Sequence, residues 1–364
     1  MPRRILFNAL VASPEGAGVS RYAWELGREL LAMRDDVVLT VQRSMAERFT
    51  APPERLLIFP DTPSSWRRIL KEQFVMAGRA RDFALAHFPD FVRPLSCPWP
   101  LVVTCHDLAL LRMPEVFTSA QRIWKRRAAR NAVRADRILC VSRHTAGDLA
   151  EFLHPPPERV RVIHSGVRAY AGPAIAPDAA LPERFILCVG TLEPRKNIPR
   201  LLQALALMRR QGSPLHLVLA GNPGWKYGEV FETIRRLNLA DLVVFAGHCD
   251  DARLKHLYQR AVLLAYVSLY EGFGFPPLEA MTCGLPVVAA HVSSLPEICG
   301  DAAEYVDPLS AEDIARGIHA VLDDPRRRDQ LASLGRARSR LFTWRRTAAE
   351  VSAVYDELLN CPSL

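Results

Sequence analysis

The stretch Glu271-Gly-Phe-Gly-Phe-Pro-Pro-Leu-Glu279 joins an apolar run at 261–267 to a short helical pattern at 277–283. The run reads as a buried strand, so the stretch is a strand–turn–helix joint. Gly272 and Gly274 leave backbone N–H groups bare in the turn. Pro276 and Pro277 suit a helix start, where a missing N–H costs little. Glu279 then falls in the first turn, its side chain directed back toward the strand end. Such a joint can offer carboxylates to hydroxyl groups, and free amides with a helix N-terminus to a phosphate. The plainer reading is an ordinary connection with a glutamate favoured by the helix dipole.

The same alternation extends outward on both sides. In the second half, strand-like runs at 185–189, 215–220, 242–246, 261–267, 287–290 and 303–306 alternate with helical patterns at 198–210, 227–237, 251–259, 277–283 and 311–322. In the first half, apolar runs at 3–9, 37–41, 56–59, 83–87, 101–105, 137–141 and 160–164 are interleaved with helical stretches running to about 33 and at 65–80, 118–134 and 143–152. Strands alternating with helices predict parallel sheets covered on both faces. An Ala-, Pro- and Gly-rich stretch at 169–184 lacks periodicity and reads as a linker. After 342 comes an amphipathic helix with apolar residues at 344, 348, 351, 354, 355 and 358. The expected organisation is therefore a first domain at 1–168, a linker at 169–184, a second domain at 185–341, and a C-terminal helix and tail at 342–364. At 364 residues the chain exceeds the usual size of a single core.

Composition narrows the class. With 49% hydrophobic and 24% charged residues the chain is globular. No run of about twenty apolar residues predicts a spanning helix. The basic N-terminus leads into a short apolar run that soon reaches Glu15, a first strand rather than a signal peptide. Eight cysteines without any C-x-x-C pair read as buried thiols in a reducing cytoplasm. The formal charge of +8 leaves nucleic acid, anionic lipid and phosphorylated substrates open. Trp66-Arg-Arg-Ile-Leu-Lys71 and the stretch from Ile123 to Arg137 mix cations with aromatics at helical spacing. They are solvated helix faces or a membrane-surface patch. No recognition helix or stacking platform supports a nucleic-acid partner.

Parallel sheets bind ligands at the carboxyl ends of their strands, so the strand endings are the candidate chemistry. The first strand leads into Gly16-Ala-Gly18, but Arg21 occupies the place of a third glycine, so the dinucleotide fingerprint is incomplete. His106, in Thr104-Cys-His-Asp-Leu108, is either a satisfied structural histidine or a site residue; Ser142 is either a site residue or a helix cap. In the second half Gly190-Thr-Leu-Glu-Pro-Arg195-Lys196-Asn197 places two adjacent cations before a helix, which suits a diphosphate. Ala220-Gly-Asn222 and Ala246-Gly-His-Cys249 end neighbouring strands, so these exits share one sheet edge with the Glu271 loop. Together they offer cations for phosphate, glycine-backed turns for a base, and carboxylates for sugar hydroxyls.

Val189-Gly-Thr-Leu-Glu-Pro-Arg-Lys-Asn-Ile198, Leu219-Ala-Gly-Asn222, the run from Glu271 to Ala289, and Ser293-Ser-Leu-Pro-Glu-Ile-Cys-Gly-Asp-Ala-Ala303 together resemble the retaining glycosyltransferases of family 4. The first half resembles them in patches: the Gly16–Gly18 loop, His106-Asp107-Leu108 and Val141-Ser142. The resemblance implies the GT-B fold, two doubly wound Rossmann-like α/β domains with a cleft between them and a C-terminal helix crossing back to the first domain. It also implies the type of bacterial mannosyltransferase that builds O-antigen, capsule or exopolysaccharide on lipid carriers. Glu271 and Glu279 match the family's E-x7-E pair, the first contacting the donor sugar and the second holding ribose hydroxyls. The amides of Gly272, Phe273, Gly274 and Phe275 face the sugar and diphosphate, and Arg195 and Lys196 match the phosphate clamp. His106 matches a histidine beside the transferred sugar, and Gly18 the loop over the diphosphate; Gly190, Asn222, Cys249 and Ser142 complete the donor-binding set. Thr191 departs from the family's usual Gly-Arg start of the clamp loop, which shifts load onto Arg195 and Lys196. The implied reaction needs no metal and no cofactor. Its partners are a nucleotide sugar (GDP-mannose by resemblance, with UDP- and dTDP-sugars as alternatives), a lipid-linked saccharide acceptor and the anionic inner face of the plasma membrane. A GT-B sugar-nucleotide epimerase shares the architecture, but Pro-Pro-Leu-Glu-Ala-Met281 favours the transferase.

Overall fold

The computed structural model describes residues 4–13, 16, 18–62, 67–69, 72, 83–94, 97–170, 172, 181–212 and 215–360. Two compact units result: Met1–Gly166 with Phe342–Leu364, and Val167–Leu341.

The first unit holds β1 (Ile5–Asn8), β2 (Val37–Gln42), β3 (Leu56–Phe59), β4 (Leu85–Phe88), β5 (Leu101–Cys105), β6 (Arg137–Cys140) and β7 (Val160–Val162). They form one parallel sheet in the order β3-β2-β1-β4-β5-β6-β7. The second unit holds β8 (Phe185–Val189), β9 (His216–Ala220), β10 (Val243–Gly247), β11 (Leu263–Tyr266), β12 (Val287–Ala290) and β13 (Glu304–Val306). Their order, β10-β9-β8-β11-β12-β13, repeats the winding of the first sheet. Every residue of β1, β4, β5, β11 and β12 is buried, because helices cover both faces; this is why these strands read as near-continuous apolar runs rather than alternating ones. In each sheet the winding reverses once, between β1 and β4 and between β8 and β11, and a crevice opens beyond the carboxyl ends at such a reversal.

The C-terminal helix Trp344–Asn360 belongs to the first unit and packs on helix Val19–Met33. It buries Trp344, Thr347, Ala348, Val351, Val354 and Tyr355, the stripe expected of a 3.6-residue period. The Thr347 hydroxyl donates to the His164 carbonyl at 2.8 Å, and Arg34 pairs with Asp356 at 2.8 Å.

Several expected bounds shift. The run at 261–267 is a strand only over Leu263–Tyr266, and the helix after it starts at Phe275 because Gly274, at φ 124°, turns the chain earlier. Helices Leu295–Cys299 and Pro325–Ser339 were not expected. The second has no apolar stripe: it buries only Leu331, Gly335 and Ser339, and starts on the Asp324 carboxylate, which accepts from the Arg326 and Arg327 amides. Of the expected helix at 65–80 only 67–69 and 72 are described, so Trp66, Leu70 and Lys71 lie outside the described residues, as do most of 169–184 and the tail 361–364. Among the described residues no helix is long and apolar enough to cross a membrane.

Candidate active site

At the reversal in the second sheet, β8 and β11 deliver their exits side by side. Gly190 has φ 148°, and a Cβ there would sit 2.9 Å from Lys196 Cε; one at Gly221 would sit 2.1 Å from the Gly190 carbonyl oxygen. Only glycine lets these exits pass so closely. The turn Pro194–Lys196 then ends on Asn197, left-handed at φ 58°. The buried Asn197 amide donates to the carbonyls of Val267 (3.0 Å) and Pro308 (2.7 Å), and the Leu269 amide donates to the Arg195 carbonyl (2.8 Å). The backbone carrying the two cations is thereby fastened to the exit of β11.

Their side chains converge on Glu271. Arg195 Nη1 donates to Glu271 Oε2 (2.8 Å) and to the Tyr270 carbonyl (2.9 Å), while its Nε donates to Glu193 Oε1 (2.9 Å). Lys196 Nζ donates to Glu271 Oε1 (2.6 Å) and to the Tyr266 hydroxyl (2.9 Å), and lies 4.8 Å from the centre of the Tyr266 ring. Burial alone would push the Glu271 carboxyl up, but Arg195 and Lys196 outweigh it and hold the group at about 2. Burial and then Glu271 push the Tyr266 hydroxyl well above its ordinary value, so it stays neutral. Two buried carboxylates and two cations balance. Among the described residues the Lys196 ammonium makes two of its three possible hydrogen bonds, leaving one donor for a ligand.

The loop beyond Glu271 is held from behind. The Glu271 amide donates to Ser293 Oγ (2.9 Å), and Ser294 Oγ lies within reach of the carbonyls of Glu271 (2.9 Å) and Phe273 (2.7 Å). Gly272, Phe273 and Gly274 are buried and Phe275 half-buried. Helix Phe275–Thr282 starts on Gly274 with no side-chain cap, and Pro276 and Pro277 leave Phe275 and Leu278 as the N–H bearers of its first four residues. The positive end of the helix dipole lies here, which favours negative charge nearby. Glu279 is buried one turn in, accepting from the Tyr258 hydroxyl at 2.8 Å. Asn222, after β9, is exposed with its carbonyl accepting from the Leu192 amide; Cys249, after β10, is half-buried with its thiol 3.6 Å from the Gly247 carbonyl.

In the first unit His106 follows β5. Its Nε2 contacts the Pro89 carbonyl at 2.8 Å; a carbonyl only accepts, so Nε2 carries the proton. Burial lowers its pKa, against the opposing Pro89 hydrogen bond, leaving a neutral ring with its lone pair on Nδ1. The Tyr22 ring meets it edge-on at 4.7 Å. Gly18 stands at the start of helix Val19–Met33 with φ 54°, and a Cβ there would meet nothing within 4 Å. Ser142 has no exposed surface; its hydroxyl caps helix Arg143–Leu153, accepting from the Thr145 amide at 3.0 Å.

Sequence reasoning missed Glu193, Tyr266, Tyr258, Ser293 and Ser294. Glu193 and the serines stand inside the quoted motifs. Tyr258 gave no signal, because its partner Glu279 lies 21 residues away on another helix. Among the described residues no group of three or more His, Cys, Asp or Glu is arranged to hold a metal, and the described cysteines are free thiols.

Two sheets of this winding, with a cation–carboxylate cluster and a helix N-terminus at the second reversal, define the GT-B class of nucleotide-sugar enzymes. The profile described as "Glycosyltransferase Family 4" matches residues 16–169, and that described as "Glycosyl transferases group 1" matches 176–338. The chain is 28% identical to an O-antigen chain mannosyltransferase B of Escherichia coli, over 94% of this chain and 96% of that protein. It is 30% identical to the serotype-specific mannosyltransferase WbdA of Escherichia coli over 87% of this chain, spanning 43% of that protein's length. A sucrose-phosphate synthase structure from Thermosynechococcus elongatus superposes with a TM-score of 0.80 at 23% identity, covering 99% of this chain and 100% of that one; this likeness bears on the fold. The chain belongs to glycosyltransferase family 4 and is an enzyme.

Proposed function

We propose that the chain is a retaining, metal-independent mannosyltransferase that moves mannose from GDP-mannose to a lipid-linked or polysaccharide-precursor acceptor at the inner face of the plasma membrane. The observation that carries this reading is the cluster of Glu193, Arg195, Lys196 and Glu271 beside the N-terminus of helix Phe275–Thr282. Mannose is supported by relatives named as mannosyltransferases, one aligned along nearly its whole length.

The chemistry follows from charge. The bond from the sugar C1 to the diphosphate oxygen breaks through an oxocarbenium-like state, and the nucleoside diphosphate leaves with growing negative charge. Lys196, Arg195 and the helix N-terminus stabilise that charge where it develops, without reorganising. The acceptor oxygen bonds to C1 on the departing face, and its proton passes to the leaving phosphate. Glu271 is no nucleophile in this scheme: each of its oxygens accepts from a cation at 2.6–2.8 Å. It holds the two cations ready. His106 orients the transferred sugar with a neutral ring, and Glu279 receives the ribose hydroxyls.

The membrane surface is supported by helix Ser119–Ala132, where Ile123 (60% exposed) and Trp124 (46% exposed) stand beside exposed Lys125, Arg126 and Arg127. A thermal-shift and hydrolysis panel across GDP-, UDP- and dTDP-sugars tests the donor. GDP-mannose should give the largest shift and the fastest release of nucleotide; a preference for a UDP- or dTDP-sugar refutes the assignment.

A further inference from the structure

The first sheet has a reversal of its own, and it is built from different parts. Asn8 ends β1, Asp90 lies two residues past β4, and the side chains of Arg68 and Glu72 reach the same place. Arg68 Nη1 donates to Glu72 Oε1 (2.7 Å) and to Asp90 Oδ2 (3.1 Å), so two carboxylates share one guanidinium. The Thr40 hydroxyl donates to Asn8 Oδ1 (2.7 Å), which fixes the Asn8 amide with its nitrogen toward Glu72 Oε1 at 2.9 Å. Glu72 has 0% exposure and Asp90 8%. Their other oxygens, Glu72 Oε2 and Asp90 Oδ1, are buried and have no hydrogen-bond partner among the described residues.

Buried carboxylate oxygens without donors are costly, and a native site that keeps two of them is short of hydrogen-bond donors. Arg68 is the one cation beside two carboxyl groups, so with Asp90 ionised the group has no net positive charge whether or not Glu72 carries a proton, which disfavours a phosphate. A cation would have to compete with the guanidinium already between the carboxylates. A neutral polyol supplies what is missing, since each hydroxyl donates one hydrogen bond and a carboxylate accepts it as a charge-assisted one. Asp90 is also the residue after Pro89, whose carbonyl holds His106. We propose that Glu72 and Asp90 receive hydroxyl groups of the acceptor sugar, so that the acceptor is read at the reversal of the first sheet through its hydroxyls and not through an anionic group.

This inference rests on the transferase reading above. Burial and then Asp90 push the Glu72 carboxyl up to about 7, against Arg68 and Asn8. His106 is the further titratable group facing Asp90.

The test uses the full chain with α-mannobiose as the acceptor probe and GDP as the donor-side control. Saturation-transfer NMR should show mannobiose binding to the wild type, and Asp90→Asn and Glu72→Gln should each weaken it about tenfold, the worth of one hydrogen bond to a charged group. GDP affinity, the control for an intact fold, should stay unchanged. Mannobiose affinity retained in both variants overturns the proposal, as does a wild type that binds GDP but no saccharide. Binding of Mg2+ alone, lost in the same variants, also overturns it in favour of a cation site. A wild type that binds saccharide but neither binds nor turns over GDP-mannose leaves this site standing and refutes the donor assignment instead.

Discussion

The two sheets wind identically, yet their reversals have opposite electrostatic character. At the second, Arg195 and Lys196 engage both oxygens of Glu271, and the carboxyl is held at about 2. At the first, Arg68 is divided between Glu72 and Asp90, and the Glu72 carboxyl rises to about 7. Burial acts the same way on both glutamates; at Glu271 two cations outweigh it, whereas at Glu72 the neighbouring Asp90 carboxylate adds to it. On the two proposals, one fold feature yields a place prepared for developing negative charge and a place prepared for hydrogen-bond donors. Winding sets where a ligand meets the sheet, and side-chain charge sets which ligand it is.

Removing a cation from the second reversal should have the largest effect. Lys196→Ala is expected to lower kcat by about 10²–10³, the usual loss for one preorganised donor to a developing anion. Steady-state kinetics with GDP-mannose measure it, and an unchanged kcat would remove Lys196 from the leaving-group site.

The opposite signs predict opposite pH behaviour. Glu271 has a folded pKa of about 2, below its ordinary 4.5, so its stabilisation is present above 4.5 and is lost as pH falls through about 2. The full term is about 3 kcal/mol, from roughly 1.4 kcal/mol per unit. In urea unfolding, the stability gap between wild type and Glu271→Gln should therefore narrow by about 2 kcal/mol between pH 7 and pH 3. Glu72, raised from 4.5 to about 7, contributes stability that is full below 4.5 and lost as pH rises through about 7. Glu72→Gln should accordingly gain on the wild type between pH 5 and pH 8. Gaps moving in the same direction would erase the contrast.

Smaller effects separate roles within the donor site. Glu279→Ala should weaken GDP binding about tenfold with a modest change in kcat, the worth of one charged hydrogen bond. His106→Ala should lower kcat with little change in GDP affinity. The reverse pattern, read by calorimetry and kinetics, would exchange the two assignments. The smallest effect is expected at the surface: Ile123→Ser with Trp124→Ser should reduce sedimentation with anionic vesicles several-fold at low salt, leaving turnover of a water-soluble acceptor intact.

The parallel sheets were legible because buried strands such as Leu263–Tyr266 and Val287–Ala290 are continuous apolar runs between helical patterns. The donor-side cluster was legible in part, since Arg195, Lys196 and Glu271 stand in strand exits that a parallel sheet gathers on one edge. That Glu271 would pair with both cations was not, because the pairing spans some 75 residues and depends on Asn197 pinning the turn. Helix Pro325–Ser339 escaped notice because it carries no apolar stripe: it buries only Leu331, Gly335 and Ser339, with Gly335 against Met281, and Arg338 donates to the carbonyls of Glu297 and Ile298. The Arg68, Glu72 and Asp90 group was invisible for the same reason as Glu193, its members being ordinary charged residues until the fold removes their water.

The central claim is that the cluster around Glu271 drives departure of a nucleoside diphosphate from a sugar whose configuration is kept. Proton NMR of a reaction containing GDP-mannose, α-mannobiose and excess EDTA reads it directly. The account predicts a new α-linked mannosyl signal appearing in step with free GDP. A β-linked product, or a reaction abolished by EDTA, would contradict it.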